Sequence, residues 1–220
     1  DKTSGPIGTD HDLYIGNYYG LTNRVDGIMD DVQFLNYALS DDDVADMFAN
    51  YNIQPPGKVA HWTLDETSGT AVDDVMGDND GTLVNPDGAE WVEAVVNNGL
   101  DFSGATDSAH IVVPHSSDIE FSSGAFSVSY LIKTDLSQNC TPIYKGTFAF
   151  APESTDSTAT WFQSELKGGQ IRFAIDDNGN QNLVKFSDTD SAGKTQVGYD
   201  LPHYLSNTWI HFVGVRNTAE

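Results

Sequence analysis

Carboxylates are the side chains of this sequence with the clearest chemical potential, and Asp30 is the first of them. It lies in the stretch 26–40, which is typical of a strand followed by a helix start. Alternate residues of a strand share one face, so Asp30 would point inward together with Val32 and Phe34. An isolated buried carboxylate is costly, because it loses its hydration. The pattern therefore predicts a charged or hydrogen-bonding partner, or a metal ion, for Asp30.

A second set of carboxylates lies in a turn-like segment rich in glycine and asparagine. Asp74, Asp78 and Asp80 are spaced closely there. Calcium takes six to eight oxygen ligands from carboxylates and carbonyls, which acidic turns supply. The sequence leaves two interpretations open for this segment, a calcium site or a solvated turn.

The sequence lacks the usual signatures of catalysis. It contains no Gly-x-Ser-x-Gly elbow, no cysteine–histidine nucleophile context, and no zinc or phosphate-binding signature. His211 shares a predicted strand face with Trp209 and Val213, which favours a core histidine over a ligand. Cys140 is the single cysteine, which excludes an internal disulfide. We therefore predict that the chain is not an enzyme.

The charge balance excludes one class of partner. The chain has 33 acidic residues against 10 lysines and arginines, a formal net charge of −23, and the acids are spread along its length. Nucleic acid is an unsuitable partner because phosphate binding needs basic patches. Cation binding and a solvated acidic surface both remain open. No apolar run is long enough for a membrane span, so membrane insertion is not expected.

Short strands separated by glycine, serine and aspartate clusters dominate the chain from residue 58 onward. Ser40 begins a single helical run with Asp43 in capping-box spacing. Pro55 and Pro56 cannot continue that helix and mark a linker at 53–57. Many short strands and one short helix predict an all-β antiparallel sandwich or jelly roll.

Six segments carry a resemblance to a known family. They are KVAHWTLDETSGTAVDDVMGDNDGTLV (58–84), NNGLDFSGATDSAHIVVP (97–114), AFSVSYLIK (125–133), TWIHFVGV (208–215), DLYIGNYYG (12–20) and DGIMDDVQFLNYALS (26–40). Together they resemble laminin-G-like domains of the concanavalin A-like lectin and glucanase superfamily. Leu131 departs from the pattern, since the family usually has tryptophan there. The resemblance implies a concanavalin A-like jelly roll.

The order of these segments differs from that of the family. The family's closing strands and helix resemble residues 1–52, the linker is 53–57, and the opening and middle of the domain resemble 58–220, without the last strands. Three arrangements are open. In the first, the chain is a piece of a tandem array in a shifted frame. In the second, it is a single domain in which residues 1–50 fold back onto 58–220. In the third, residues 1–50 complete a neighbouring molecule.

The resemblance also implies sites. Asp30 matches the family's aspartate, and similar carboxylates there often bind a structural calcium ion. A carboxylate of Asp65 or Glu66 and carbonyls near Gly104 would complete such a site. Hydrogen bonding of Asp30 to amides or an arginine is the alternative. Retaining glucanases of the superfamily carry Glu-x-Asp-x-x-Glu, which is absent here.

Aromatic side chains in loop or edge positions are the candidates for ligand recognition. Sugar-binding folds of this kind stack aromatic rings on sugars. Tyr18, Tyr19 and Trp161 are predicted to do so, whereas Trp62 and Trp209 are assigned to packing.

These patterns predict an extracellular or cell-surface module, secreted and non-catalytic. It would bind a polysaccharide or glycoconjugate, hold calcium, and serve cell adhesion in a repetitive surface protein. The alternative hypothesis is a structural subunit that exchanges strands with neighbouring copies of the same domain to build a filament or surface array.

Overall fold

The computed structural model of the protein describes residues 10–18, 23–49, 56–121, 124–146, 160–167, 170–177, 181–182, 187–189, 195–200 and 206–217. In this part, two antiparallel sheets face each other, accompanied by one α-helix and a short 3-10 helix at Ser117–Ile119. The predicted all-β antiparallel sandwich with one short helix is confirmed.

The strands and the helix follow the short apolar runs of the sequence. They are β1 (Leu13–Ile15), β2 (Gly27–Leu35), α1 (Asp41–Ala49), β3 (Lys58–Trp62), β4 (Ala71–Val72), β5 (Gly81–Val84), β6 (Glu90–Glu93), β7 (Asn98–Asp101), β8 (His110–Val113), β9 (Phe126–Thr134), β10 (Cys140–Gly146), β11 (Thr160–Lys167), β12 (Gln170–Asp177), β13 (Gln181–Asn182), β14 (Ser187–Thr189), β15 (Thr195–Asp200) and β16 (Trp209–Arg216).

Within the described residues the larger sheet has ten strands and the smaller sheet has six. The larger sheet has the order β14-β15-β12-β11-β10-β1-β8-β5-β4, and β13 pairs with β12. The smaller sheet has the order β16-β9-β2-β7-β6, and β3 pairs with β2. Neighbouring strands are therefore often distant in sequence.

The first two strands occupy interior positions of the two sheets. Strand β1 lies between β8 and β10, with Tyr14 opposite Val112 on one side and Tyr144 on the other. Strand β2 pairs with β9 along one edge and with β7 and β3 along the other. In the described part, β1 and β2 thus pair with strands of the segment 58–220, and the choice among the three arrangements stays a prediction.

Strand β2 contains a β-bulge that changes the predicted faces. Its register against β9 shifts between Asp30 and Gln33, and Asp31 has a φ of 55°. Met29, rather than Asp30, shares the core with Val32 and Phe34. Asp30 is buried as predicted but not on the predicted face, because the extra residue of a bulge reverses the alternation of side chains.

Helix α1 begins with the predicted capping box. The N–H of Asp43 donates to Ser40 Oγ at 3.2 Å, and the N–H of Ser40 donates to Asp43 Oδ2 at 2.9 Å. Hydrogen bonds from the Ser40 hydroxyl and N–H lower the pKa of Asp43. The helix buries Met47 against Leu35 and Leu39 on the outer face of the smaller sheet.

Replacement of Ser40 by alanine tests this cap. Ser40→Ala removes the acceptor for the N–H of Asp43, and N-cap losses cost about 1 kcal/mol. We expect a lower free energy of unfolding by that amount in urea denaturation, with an unchanged m-value. Asp42→Ala, which leaves the capping hydrogen bonds in place, is the control and should have a smaller effect.

Aromatic rings fill the space between the two sheets. Trp62 is fully buried, as predicted, and its ring lies edge-on to Phe34 at 5.7 Å between centroids. Phe162 of the larger sheet lies 5.9 Å from Phe34 and 5.1 Å from Phe126. These contacts hold the inner faces of the sheets together.

The last described strand presents the opposite face from the predicted one. Phe212 of β16 packs in the core, whereas Trp209 and His211 are half-buried on the other side. Val213 lies on that outer side, against the cluster of apolar residues that includes helix α1. Both faces of β16 are therefore covered, so its apolar pattern alone could not identify the inner one.

Candidate functional site

Asp30 lies where strand β2 changes its partner from β7 to β3, and its side chain is fully buried. Its Oδ2 accepts hydrogen bonds from the N–H groups of Val95 and Val96 at 3.2 and 3.0 Å. Its Oδ1 is buried and receives no hydrogen bond from the described residues. Burial, assisted by the neighbouring Asp31 and Asp65 carboxylates, raises the pKa of Asp30 to about 7 against the lowering effect of the two amides. Asp30 is therefore suited to hold a proton or a cation.

Asp65 approaches the same hairpin turn between β6 and β7. Its Oδ1 accepts the N–H of Asn98 at 3.0 Å, and its Oδ2 accepts Nδ2 of Asn97 at 3.1 Å. Asn98 Nδ2 also donates to the carbonyl oxygen of Asp65 at 3.2 Å. The turn thus brings Asp30 and Asp65, two of the predicted ligands, into one neighbourhood.

The other two ligands predicted for the Asp30 site, Glu66 and Gly104, contact other residues. Glu66 Oε1 accepts the N–H of Asp73 at 2.8 Å, and its Oε2 is buried without a donor in the described part of the chain. Burial raises the pKa of Glu66. Gly104 lies against Gly88, where a Cβ on Gly88 would come within 2.0 Å of the Gly104 carbonyl oxygen. The contacts of these two residues are with Asp73 and Gly88 rather than with Asp30.

Asp74 is the centre of the acidic loop, and its acceptor capacity is used within the loop. Its Oδ1 accepts the N–H groups of His61 and Met76 at 2.8 and 3.0 Å. Its Oδ2 accepts the N–H and Nδ2 of Asn79 at 3.3 and 2.8 Å. A carboxylate has about four lone-pair sites, so Asp74 has none left for a cation. Its geometry favours the hydrogen-bonded turn over the calcium site.

The fit of the predicted calcium ion depends on the remaining carboxylates. Asp78 and Asp80 are exposed, and Asp80 Oδ1 accepts the N–H of Asp74 at 2.9 Å. Among the described residues, no group of three or more His, Cys, Asp or Glu side chains could hold a metal ion. Asp30 fits the role best by its chemistry, because it is fully buried, its Oδ1 is an acceptor without a donor in the described part, and the Asp65 carboxylate lies beside it. Glu66 Oε2 is also a buried acceptor without a donor there.

Aromatic side chains gather on the outer face of the larger sheet. Tyr18, Tyr144, Trp161 and Ala174 form a buried cluster, with Tyr14 packed partly against it. We call these five residues the aromatic cluster. The Tyr18 and Tyr144 rings are 4.0 Å apart between centroids, and those of Tyr14 and Tyr144 are 6.5 Å apart. The cluster brings together Tyr18 and Trp161, two residues predicted to bind ligand.

Polar groups border the aromatic cluster on strands β11 and β12. Gln163 lies opposite Tyr144, and its Nε2 donates to Glu165 Oε2 at 3.4 Å. Arg172 Nη1 lies 3.3 Å from Glu165 Oε1. Trp161 Nε1 is a buried donor that has no acceptor among the described residues. The outer face of the larger sheet thus combines apolar rings with hydrogen-bond donors and acceptors.

The predicted stacking role of individual rings needs a correction. Tyr18 and Trp161 are only 8% and 2% exposed, so neither presents an open ring face to solvent. Their rings pack in the aromatic cluster, because strands β10, β11 and β12 place Tyr144 and Ala174 beside them. Tyr14 is the half-buried ring of the cluster. Tyr19 lies outside the described residues.

A buried polar network that the sequence reasoning missed lies on the outer face of the smaller sheet. His61 Nε2 is 2.5 Å from Asp31 Oδ1, and Lys58 Nζ is 3.3 Å from His61 Nδ1. Gln33 Nε2 donates to the other oxygen of Asp31 at 2.6 Å. We call these four residues the Lys58 network. The only sequence signal for this network was that His61 alternates with the predicted core residue Trp62 along a strand. That alternation does not identify the hydrogen-bonding partners of His61.

A serine–histidine pair lies on the same outer face. Ser129 Oγ and His211 Nε2 are 2.8 Å apart, and the His211 ring stacks on Phe48 at 6.4 Å. Burial lowers the pKa of His211. Ser129 is almost fully buried, so its hydroxyl is not open to a substrate. The prediction that the chain is not an enzyme stays a prediction.

The fold and these sites define an all-β sandwich with buried carboxylates and an outer aromatic face. Comparison with protein-family models, with curated proteins and with solved structures found no match to this chain. The laminin-G-like resemblance therefore stays a prediction. No helix in the described part is long and apolar enough to cross a membrane.

Proposed function

We propose that this chain is an extracellular, non-catalytic module that binds carbohydrate through the outer face of its larger sheet. The observation that carries the proposal is the Nε1–H of Trp161, a buried donor without an acceptor in the described part, within a cluster of tyrosines. A buried unpaired donor costs about 1–3 kcal/mol, which a ligand oxygen would recover if the side chains that cover Nε1 moved aside on binding. Aromatic rings beside convergent polar groups are the usual lining of a sugar site.

The neighbouring groups suit hydroxyl-rich ligands. Gln163 offers an amide, Glu165 a carboxylate and Arg172 a guanidinium, so donors and acceptors alternate along the edge of the aromatic cluster. A sugar would enter beside Tyr14, the half-buried ring, and its hydroxyl groups would bond to these side chains. Attachment to a polysaccharide or glycoconjugate at a cell surface would be the resulting role.

Calcium is the cofactor that we propose for this module, as a structural ion. Asp30 would be its main protein ligand, through Oδ1, with Asp65 beside it. The ion would neutralise the buried Asp30 carboxylate at the point where β2 leaves β7 and joins β3. The carboxylate of Asp74 would stay engaged in its hydrogen bonds within the acidic loop.

The alternative proposal, a filament built by strand exchange, makes a different prediction. Strands β1 and β2 pair inside the chain, so these two positions do not require a donated strand. Neighbouring copies of the domain would then associate through other surfaces. A monomer mass at high protein concentration supports the binding module, and concentration-dependent polymers support the filament.

Loss of the central tryptophan tests the carbohydrate proposal. We expect the wild-type chain to bind at least one class of glycan on an array. Trp161→Ala should lose that binding about tenfold or more, because it removes the unpaired donor and the ring that holds Tyr18 and Tyr144 in the aromatic cluster. Trp209→Ala, on the other sheet, is the matched control and should bind as the wild type does. Equal binding by both variants, with both folded, would exclude the aromatic cluster as the site.

A further inference from the structure

We propose that the carbohydrate site of the larger sheet continues from the aromatic cluster across β1 onto β8, and that its ligand is an uncharged saccharide chain of several residues. In this arrangement, Nε2 of His110 accepts a hydrogen bond from a hydroxyl group of the chain. This extension rests on the proposed carbohydrate function, and it specifies the charge and length of the ligand and a further contact residue.

His110 lies on the same outer face as the aromatic cluster. Side chains alternate along β8, and Ile111 and Val113 belong to the core between the sheets. His110 therefore faces outward, and its ring lies 5.7 Å from that of Tyr14 between centroids, at an angle of 42°. Because Tyr14 belongs to the aromatic cluster, it connects His110 to that cluster.

The contact of His110 with the backbone defines the proton position on its ring. Nδ1 lies 2.7 Å from the carbonyl oxygen of Ser108. A carbonyl oxygen only accepts hydrogen bonds, so Nδ1 carries the proton. Burial lowers the pKa of His110, against the raising effect of the Ser108 carbonyl, so the neutral ring prevails at pH 7. In that form Nε2 is a hydrogen-bond acceptor.

This acceptor is unused in the described part of the chain. None of the described residues donates a hydrogen bond to Nε2 of His110, whose side chain is largely buried. Nε1 of Trp161 is the complementary case, a buried donor without an acceptor there. The outer face thus presents an unpaired acceptor on β8 and an unpaired donor on β11. Sugar hydroxyl groups suit both, because a hydroxyl group can donate and accept.

The strand register sets the length of the ligand. Four side chains lie directly opposite one another on the consecutive strands β8, β1, β10 and β11: Val112, Tyr14, Tyr144 and Gln163. Their row crosses three spacings between strands, about 14 Å in all. A pyranose residue in a linear chain is about as long as one such spacing, so a single sugar cannot extend from β8 to β11. A chain of about three or four residues can do so.

The surface beyond Tyr14 is more open than the aromatic cluster. Val112 of β8 is half-buried, and Thr82, directly opposite it on β5, is exposed. Trp161, in contrast, is only 2% exposed. A saccharide that enters beside Tyr14 therefore meets His110 and β8 before it reaches Trp161.

The charges on this face favour an uncharged ligand. Val112, Tyr14 and Gln163 of the row carry no charge at neutral pH. Glu165 Oε1 lies 3.3 Å from Arg172 Nη1, so the guanidinium already has an anionic partner. The net charge of −23 repels polyanions from the chain as a whole. Neutral polysaccharides therefore fit the site better than uronate-containing or sulfated chains.

Calorimetric titration of the whole chain with defined oligosaccharides tests the charge and the length of the ligand. The probes are cello-, manno- and xylo-oligosaccharides of one to six residues, with oligogalacturonates as the charged counterpart. We expect at least one neutral series to bind, with an affinity that rises about tenfold or more from the disaccharide to the tetrasaccharide. Oligogalacturonates should not bind.

The other outcomes separate this extension from the proposed function. Affinity that does not depend on chain length, or binding of oligogalacturonates alone, would overturn the extension and leave the carbohydrate function intact. Absence of binding in all four series would also overturn the extension, and the glycan array would then decide the carbohydrate function separately.

Variants of His110 test its contact with the ligand. His110→Phe keeps a ring beside Tyr14 and removes the acceptor, so it should weaken binding of the tetrasaccharide about fivefold, the contribution of one neutral hydrogen bond. His110→Gln, whose side-chain oxygen can accept, should recover part of the loss. His211→Phe is the matched control on the smaller sheet, since burial lowers the pKa of His211 as well. Unchanged affinity in His110→Phe, together with a loss in Trp161→Ala, would overturn the role of His110 alone.

Nitrogen-15 NMR of the wild-type histidine rings tests the same contact without a variant in the binding step. For His110 we expect a protonated Nδ1 and a non-protonated Nε2, assigned by their absence from the spectrum of His110→Phe. The tetrasaccharide should move the Nε2 resonance to lower frequency, because the nitrogen gains a hydrogen bond. A purely structural role of His110 predicts no such shift. An unmoved Nε2 resonance at saturation would contradict the proposed contact.

Discussion

Replacement of Asp30 by asparagine is expected to make the protein more stable at pH 8 in the absence of calcium. The pKa of Asp30 is raised from 3.8 to about 7, so the folded protein binds this proton more tightly than the unfolded chain. The stabilisation is complete below pH 3.8 and is lost as the pH rises through 7. A difference of about three in pKa corresponds to a limit of ~4 kcal/mol. An asparagine at this position carries no ionisable group and would avoid that loss.

The comparison of wild type and Asp30→Asn by urea unfolding across pH 4 to 8 checks this sign. The difference in free energy of unfolding should be small at pH 4 and should grow in favour of the variant toward pH 8. Calcium should stabilise the wild type at pH 8 and so raise its melting temperature. At a hundredfold excess over Kd, the gain in free energy of unfolding is about 2.7 kcal/mol. The variant should not respond.

Asp74→Asn is the matched control, because Asp74 is also a buried aspartate but its lone pairs are occupied by four N–H donors. Its substitution should lower stability and leave the calcium response intact. A calcium response that survives in Asp30→Asn and disappears in Asp74→Asn would move the proposed ion to the acidic loop.

Replacement of Trp62 by alanine is expected to cause the largest loss of stability. Trp62 is fully buried between the sheets, in edge contact with Phe34. Its Nε1 donates to the carbonyl oxygen of Asn79 at 2.8 Å and so anchors the acidic loop. Deletion of a buried large aromatic costs about 3–5 kcal/mol, a large part of the stability of an ordinary domain. Chemical denaturation measures this loss directly.

Two further variants identify the origin of that loss. Trp62→Phe keeps most of the ring volume and removes the hydrogen bond to Asn79, so it should cost less than the alanine variant. Trp91→Ala, whose ring is half-buried at the edge strand β6, should cost less again. A loss at Trp62 no larger than that at Trp91 would contradict the position of Trp62 at the centre of the core.

The sequence predicted the elements better than their faces. The capping box of α1 depends on two residues three positions apart, and such local chemistry is readable from the chain. The face of β2 on which Asp30 lies could not be predicted, because the bulge at Asp31 depends on the change of strand partners along β2. The inner face of β16 was also hidden, since helix α1 makes its outer face apolar as well.

The sequence could name individual candidate residues of the sites, but not which of them meet in the fold. Tyr18 and Trp161 could be named as aromatic candidates, but their meeting depends on strand order, which distant pairing decides. Lys58 and His61 are three residues apart, which places them on opposite faces of a regular strand. A register shift in the pairing of β3 with β2, opposite Phe34 and Leu35, brings the two side chains together. The pattern of residue types does not predict this shift.

Hydrogen exchange measured with and without the glycan selected on the array tests the central claim most directly. We expect increased protection in β11 and β12, which carry Trp161, Gln163 and Arg172, and in β10 beside them. Protection confined to the smaller sheet or to the acidic loop at 73–80 would contradict the proposal that the outer face of the larger sheet is the binding surface.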